Sequence, residues 1–187
     1  MKDIYQECPT YENEVIILRP TTKEDANALL NCYGDKKAVV FFNSDNCHGD
    51  NFYYPTIDKM NTAVDFWTFS YEKKYFVRWT IIYNVTKEII GTIEMFHRIA
   101  EDDFNHVGLL RIDLRSSFEN EKIIANILKI VDTNFYDSFE TEIIATKAIP
   151  LAHQRIKALL KNGYTLSNKK LIGQDGTAYS DYYIRHK

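Results

Sequence analysis

Phe76-Val77-Arg78-Trp79-Thr80-Ile81-Ile82-Tyr83, then Asn84-Val85-Thr86-Lys87, then Glu88-Ile89-Ile90-Gly91-Thr92-Ile93-Glu94-Met95-Phe96 is the stretch on which the fold turns. Its flanks are rich in β-branched and aromatic residues, and the four residues between them favour a turn. The pattern predicts an antiparallel hairpin. By alternation Thr92, Glu94 and Phe96 share one face of their strand, and Ile93 and Met95 the other. After an acidic loop, Glu101-Asp102-Asp103, the segment from Val107 to Leu114 reads as a third strand.

Upstream, Val15-Ile16-Ile17-Leu18 is a short strand closed by Arg19-Pro20. Thr21-Thr22-Lys23-Glu24 reads as a capping box, opening a helix with Ala26, Leu29 and Leu30 on one face and Gly34 at its end. A polar and aromatic loop, 43–55, leads to a helix with Pro55 in its first turn and Ile57, Met60, Val64, Trp67 and Tyr71 at helical spacing. Downstream, Glu119 to Tyr136 carries Ile123, Ile124, Ile127, Leu128, Val131 and Phe135 as one apolar stripe. Glu142 to Thr146 is a strand. Pro150 opens a helix with Leu151, Ile156, Leu159 and Leu160 inward, ended by Lys161-Asn162-Gly163. Tyr164 to Leu166 and Tyr179 to Ile184 are strands flanking the turn Gln174-Asp175-Gly176. Strands joined in sequence, followed by a strand-helix-strand step, predict an α/β fold: a mixed, mostly antiparallel sheet with helices on both faces.

The chain has 187 residues, enough for one domain spanning 1–187 that buries its core without disulfides or metal. Lys plus Arg number 23 against 26 Asp plus Glu, so no basic excess exists to hold nucleic acid nonspecifically. Cys8, Cys32 and Cys47 are odd in number and form no CxxC, which suits a reducing cytosol. The polar start, Met1-Lys2-Asp3-Ile4-Tyr5-Gln6-Glu7, has no apolar signal core, and no apolar run approaches the roughly 18 residues of a membrane span. The expectation is a cytoplasmic protein, monomer or homodimer, without a membrane partner. His97, His106 and the pair Cys47-His48 lack the spacing of a metal site, so no metal is expected.

Four segments, in their order and spacing, resemble the GNAT superfamily of N-acetyltransferases. They are Ile17-Leu18-Arg19-Pro20-Thr21-Thr22-Lys23-Glu24-Asp25-Ala26; Ile89-Ile90-Gly91-Thr92-Ile93; Arg111-Ile112-Asp113-Leu114-Arg115; and Asn162-Gly163-Tyr164 with Asp175-Gly176-Thr177-Ala178-Tyr179-Ser180-Asp181. The first and last resemble the branch that acetylates N-terminal amines of ribosomal proteins. The resemblance implies acetyl-CoA as cosubstrate, lying where two neighbouring parallel strands splay apart. Its pantetheine arm would pair with the backbone of Ile112, Asp113 and Leu114, and its pyrophosphate would sit on bare amides at the start of the next helix. The implied acceptor is a primary amine, either a protein N-terminus or a small molecule.

The best register for the family's glycine-rich pyrophosphate loop is Glu119-Asn120-Glu121-Lys122-Ile123-Ile124, which lacks the glycines. Glycine serves there because phosphate must approach the backbone closely. Glu119 and Glu121 would oppose the anion, with Lys122 offsetting part of the charge. Read without the family, Ser116-Ser117-Phe118-Glu119 is a capping box that satisfies the same amides internally. On the following helix, the position of the family's thiolate-protonating tyrosine holds Leu159; His153 is either a substitute or a solvated side chain. Glu94 is the first candidate for the base that takes the amine proton, with Glu94→Gln expected to lower kcat/KM about 10²–10⁴-fold. Asp113 is the second. The plainer alternatives are a solvent-facing Glu94, and an Asp113 that pairs with Arg78 or Arg111. Phe52-Tyr53-Tyr54 with Trp67 either line an acceptor groove or pack in the core, and Glu101-Asp102-Asp103 either attract a cationic amine or form a solvated loop. A module of the same fold that binds a ligand or partner without acetyl transfer is the alternative function.

Overall fold

A computed structural model describes residues 3–187; Met1 and Lys2 of the polar leading stretch lie outside the described residues. In chain order the elements are β1 (Tyr11–Glu12), β2 (Ile16–Pro20), α1 (Ala26–Tyr33), α2 (Lys36–Val39), α3 (Ile57–Glu72), β3 (Val77–Tyr83), β4 (Glu88–Arg98), β5 (Val107–Leu114), α4 (Glu121–Ser138), β6 (Ile143–Lys147), α5 (His153–Lys161), β7 (Thr165–Leu166), β8 (Leu171–Ile172), β9 (Ala178–Tyr179) and β10 (Tyr182–His186). Eight strands form one sheet in the order β1-β2-β3-β4-β5-β6-β10-β7, and β8 pairs with β9 apart from it.

The expected hairpin is β3–β4, antiparallel from Val77↔Met95 to Tyr83↔Glu88, with a bulge between Ile81 and Ile82. Every neighbouring pair in the sheet is antiparallel except β5–β6. That parallel pair is short. It runs from Gly108↔Ile144 to Leu110↔Thr146, and Arg111 to Leu114 continue without a β6 partner. Just past its end β6 leans to its other neighbour, where the Ala148 amide donates to the Asp181 carbonyl at 3.0 Å. The strands therefore part as expected.

Each face of the sheet has its own core. Ile123, Ile127, Val131 and Phe135 of α4 pack on Ile16, Trp79, Ile93 and Ile112. On the opposite face Leu29 and Tyr33 of α1 meet Met60, Val64 and Trp67 of α3. All six residues of the expected α4 stripe are buried.

Several boundaries differ from the sequence reading. The long helix begins at Glu121 because the Asn120 side chain caps it, accepting from the Ile123 amide at 3.1 Å. The box before α1 slides by one residue: the Asp25 carboxylate accepts from the Thr22 amide at 2.9 Å. Pro55 precedes the α3 cap Thr56 and lies outside the helix. The turn at Gln174–Gly176 is closed by β8 and β9, while β7 pairs with β10 through Leu166↔Tyr183. Leu151 precedes α5 and is 74% exposed, Leu160 on α5 is 55% exposed, and Arg155 and Ala158 face inward beside the expected Leu159. The helix is rotated because Arg155 finds a buried carboxylate.

Gly91 lies where β4 passes the free end of β5. A Cβ built there would stand 1.9 Å from the Asp113 carbonyl oxygen, a backbone atom that cannot swing aside. Gly91→Ala is expected to push the strands apart and cost roughly 1–3 kcal/mol or more, as overpacking does. The measurement is a fall in the urea midpoint at unchanged slope.

Candidate functional site

The register aligns Arg78, Glu94 and Arg111 in one row across β3, β4 and β5, and Thr80, Thr92 and Asp113 in the next. Glu94 is 1% exposed. One of its carboxylate oxygens accepts from Arg78 and the other from Arg111, the latter at 2.9 Å. The second Arg78 nitrogen donates to Tyr33 Oη and Thr92 Oγ1, both at 2.8 Å, and lies 3.3 Å from Asp113 Oδ2. Tyr33 donates to the same Asp113 oxygen at 2.8 Å, and the guanidinium sits 4.2 Å over the Trp67 ring.

Burial works against the Glu94 carboxylate, but Arg78 and Arg111 outweigh it and hold its pKa below the ordinary glutamate value. Asp113 goes the other way: burial raises its pKa, and Arg78 and the Tyr33 hydroxyl offset only part of that. Asp113 Oδ1 has no hydrogen-bond partner. Glu94 is thus neither a solvent-facing strand residue nor open to a substrate, since both its oxygens are committed. Of the alternatives for Asp113, the pairing with Arg78 is the one formed.

A cleft of about 630 Å³ lies over the face of β5 that carries Leu109 and Arg111, with Tyr182 beside them in its floor and Asp45, Phe96 and Asp102 among its walls; of the β5 residues beyond the β6 pairing, Arg111 alone lines it. Arg111, not Glu94, reaches it. Asp45 ties its mouth together. Its carboxylate accepts from Lys147 at 2.7 and 2.6 Å and from the Tyr182 hydroxyl at 3.0 Å, and its carbonyl accepts from Arg111 at 3.1 Å. One loop residue thereby joins β5, β6 and β10. Sequence reasoning missed Asp45. The available signal was an acidic residue in a polar loop between helices, but its partners Arg111 and Lys147 lie 66 and 102 residues downstream. Glu101 and Asp102 border the same cleft, with Asp102 held by Arg98 at 2.6 Å. Phe52, Tyr54 and Trp67 are not in it; they pack around the α1–α3 core. Among the described residues no cluster of three or more His, Cys, Asp or Glu could hold a metal ion, and no helix is long and apolar enough to cross a membrane.

Ile112, Asp113 and Leu114 are all buried at the free end of β5. The Arg115 amide donates to Ile90 of β4, so by alternation Asp113 also faces β4, while Ile112 and Leu114 turn their backbone groups toward the gap. That edge suits an extended arm that pairs through its amides. The start of α4 does not suit a pyrophosphate. The Ile123 amide goes to Asn120, the Glu121 amide to Gln154 at 3.3 Å, and the Asn120 and Glu119 amides to Phe118 and Ser116 carbonyls. The expected box from Ser116 does not form; residues 116–118 make a short 3-10 turn, and the Ser116 amide donates to Asp35 at 3.1 Å.

The two glutamates do not stand bare against an anion either. Arg155 holds Glu119 in a two-pronged bond at 2.8 and 2.7 Å, and Lys157 and Lys161 hold Glu121. Lys122 is exposed and Ile124 is buried in the core. Arg155 also ties this region to the stretch after α2. Phe41 packs against the α4 core, although its neighbour Phe42 packs in the α1–α3 core, and the Phe41 carbonyl accepts from Arg155 at 3.2 Å. Leu159 is buried and His153 is exposed on α5. The strand edge fits acetyl-CoA; the amides at the start of α4, as arranged, do not.

No family model matches the chain. Over 93 residues, 50% of this chain, it is 29% identical to an uncharacterized N-acetyltransferase, YoaA, of Bacillus subtilis strain 168. The chain spans about half the length of that curated relative, 48%. Solved structures match almost end to end. A GNAT-family acetyltransferase from Bacillus anthracis aligns with a TM-score of 0.69 at 11% identity, over 95% of this chain and 98% of its own. RimL, a ribosomal L7/L12 α-N-protein acetyltransferase solved with coenzyme A, aligns with a TM-score of 0.68 at 16% identity, over 95% and 98%. At such identities the likeness is one of architecture: the chain has the fold of the GNAT acetyltransferases.

Proposed function

We propose that the protein is an N-acetyltransferase that moves an acetyl group from acetyl-CoA to a primary amine, a peptide N-terminus or a small amine. The observation that carries this reading is the parting of β5 from β6 beside the cleft. A strand edge at Ile112 and Leu114 opens to the gap, and a cavity bordered by Glu101 and by the paired Asp45 and Asp102 lies over the neighbouring residues Leu109 and Arg111. The names of the relatives, an N-acetyltransferase and a ribosomal-protein acetyltransferase, support it.

In this reading Glu101 draws an ammonium group toward the cleft, Asp45, paired with Lys147, holds its mouth together, and Arg111 and Tyr182 shape its floor. The amine reacts only when neutral, so the rate rises with pH as the acceptor loses its proton. Glu94 acts from beneath, by holding Arg111 in place, and Asp113 by holding Tyr33 and Arg78. No thiol is poised as a nucleophile: burial pushes Cys8 up to about 12 and raises Cys32 and Cys47 as well. Incubation with acetyl-CoA and a panel of peptides and small amines, read by mass spectrometry, should yield acetylated product at a rate that climbs with pH. A folded protein that acetylates nothing in the panel would overturn the proposal. The second reading, a binding module of the same fold, is favoured by one observation: the amides at the start of α4 are already bonded within the protein. It predicts ligand uptake in the cleft with no transfer.

A further inference from the structure

We infer that the buried Arg155–Glu119 pair is a bolt across the gap between β5 and β6, and that coenzyme A enters that gap only when the bolt is drawn. The inference rests on the transferase reading and adds a condition to it.

The placement is the first argument. Glu119 follows β5 and Arg155 follows β6, so the pair joins the chain just beyond the two strands that part. The side chains are 2% and 7% exposed, and both prongs of the guanidinium are used. The remaining nitrogen reaches the Phe41 carbonyl, in the stretch that leads from α2 to Asp45 in the cleft. Three segments thus meet on one side chain, just past the strand end that Ile112 and Leu114 form. Its nearness to the strand end also registers in Asp113, whose carboxyl feels the Arg155 charge.

The second argument is room. Arg155 lies between Ala152 and Ala158, both buried. The long arginine side chain, 2% exposed, shares the inward face of α5 with these two small residues. An apolar residue would fill the same space without a carboxylate. The charged pair fills it reversibly, because both partners are ions that regain full hydration when the gap opens. A site open about a tenth of the time or less binds its ligand about tenfold or more weakly than its intrinsic affinity.

The test is calorimetric titration of coenzyme A into the wild type and into the double variant Glu119→Ala/Arg155→Ala, which removes both charges and so leaves neither buried alone. Thermal melts establish that both proteins are folded. The expected result is weak binding by the wild type and binding tighter by about tenfold or more in the variant. Equal affinity, or tighter binding by the wild type, would overturn the bolt and leave the transferase reading standing. No binding by either folded protein would overturn both and favour the binding module.

Discussion

Glu94→Ala is expected to cost about 3–5 kcal/mol of stability, because it strands two buried guanidinium groups that now share one carboxylate. For a chain of this length that is a fall of roughly 6–20 °C in Tm. Arg78 would keep Tyr33, Thr92 and Asp113, but Arg111 would lose its only carboxylate and retain the Asp45 carbonyl. The pH dependence follows from the lowered Glu94 pKa. Its stabilising contribution is complete above the unfolded value of about 4.3 and is lost as pH falls through the lower folded value. Asp113 runs opposite: its raised pKa means the fold disfavours its charge, so acid relieves a penalty there. Glu94→Gln should therefore flatten the acid limb of a stability-against-pH curve. The same variant separates two roles. A proton acceptor would lose a limb of the pH–rate profile and keep its melt. A buried positioning group loses melt and keeps the limb, and that is the outcome expected. A Glu94→Ala protein that melts with the wild type would contradict the ionic row as a support of the fold.

Trp79→Ala should be comparably severe, about 3–5 kcal/mol, by loss of buried area plus a cavity that the sheet cannot collapse around. The ring is fully buried, stacked on Phe135 at 4.8 Å and flanked by Tyr11 and Phe139, each at 6.2 Å. Its indole N–H donates to the Pro9 carbonyl at 2.9 Å, which pins the segment before β1 to the sheet. The loss is a large share of the 5–15 kcal/mol typical of a folded domain. Urea unfolding gives the magnitude. Hydrogen exchange should also show the amides around residues 9–12 opening sooner than those of β3 and β4. Loss of global stability without that local opening would mean the N-terminal segment is held by other contacts.

The elements carried by strong local pattern were legible in the sequence. The β3–β4 hairpin, the bounds of β5, the α4 stripe and the parallel pairing of β5 with β6 follow from alternation, turn residues and one crossover helix, while the parting of that pair was an expectation of the family resemblance alone. The candidate site was less legible. Alternation places Thr92 and Glu94 on one face, but it cannot say whether that face meets water or another layer. Here α1 and α3 cover it, so a strand glutamate becomes the centre of an ion network. In the helix expected from Pro150 a periodicity argument put Leu151 and Leu160 inside, because an arginine scores as surface until its partner is known. That partner, Glu119, is 36 residues earlier and had been assigned to a phosphate loop. The edge strand β1 and the pair β8–β9 have two residues per strand, too short for a periodic signal.

The Arg78–Glu94–Arg111 row also works as a key for strand alignment. Apolar faces of β3, β4 and β5 could slide by two residues and still bury their side chains, since Ile, Val, Leu and Met substitute well for one another. The ionic row removes that freedom. A two-residue slip of β4 would bring Thr92 or Phe96 opposite Arg78, where no carboxylate is available, and would leave guanidinium groups buried without a counterion. A single-residue slip would turn Glu94 into the apolar core under α4. Only one pairing gives both guanidinium groups the same carboxylate partner, so the sheet closes in a single alignment, and the same alignment sets where β5 runs past β6.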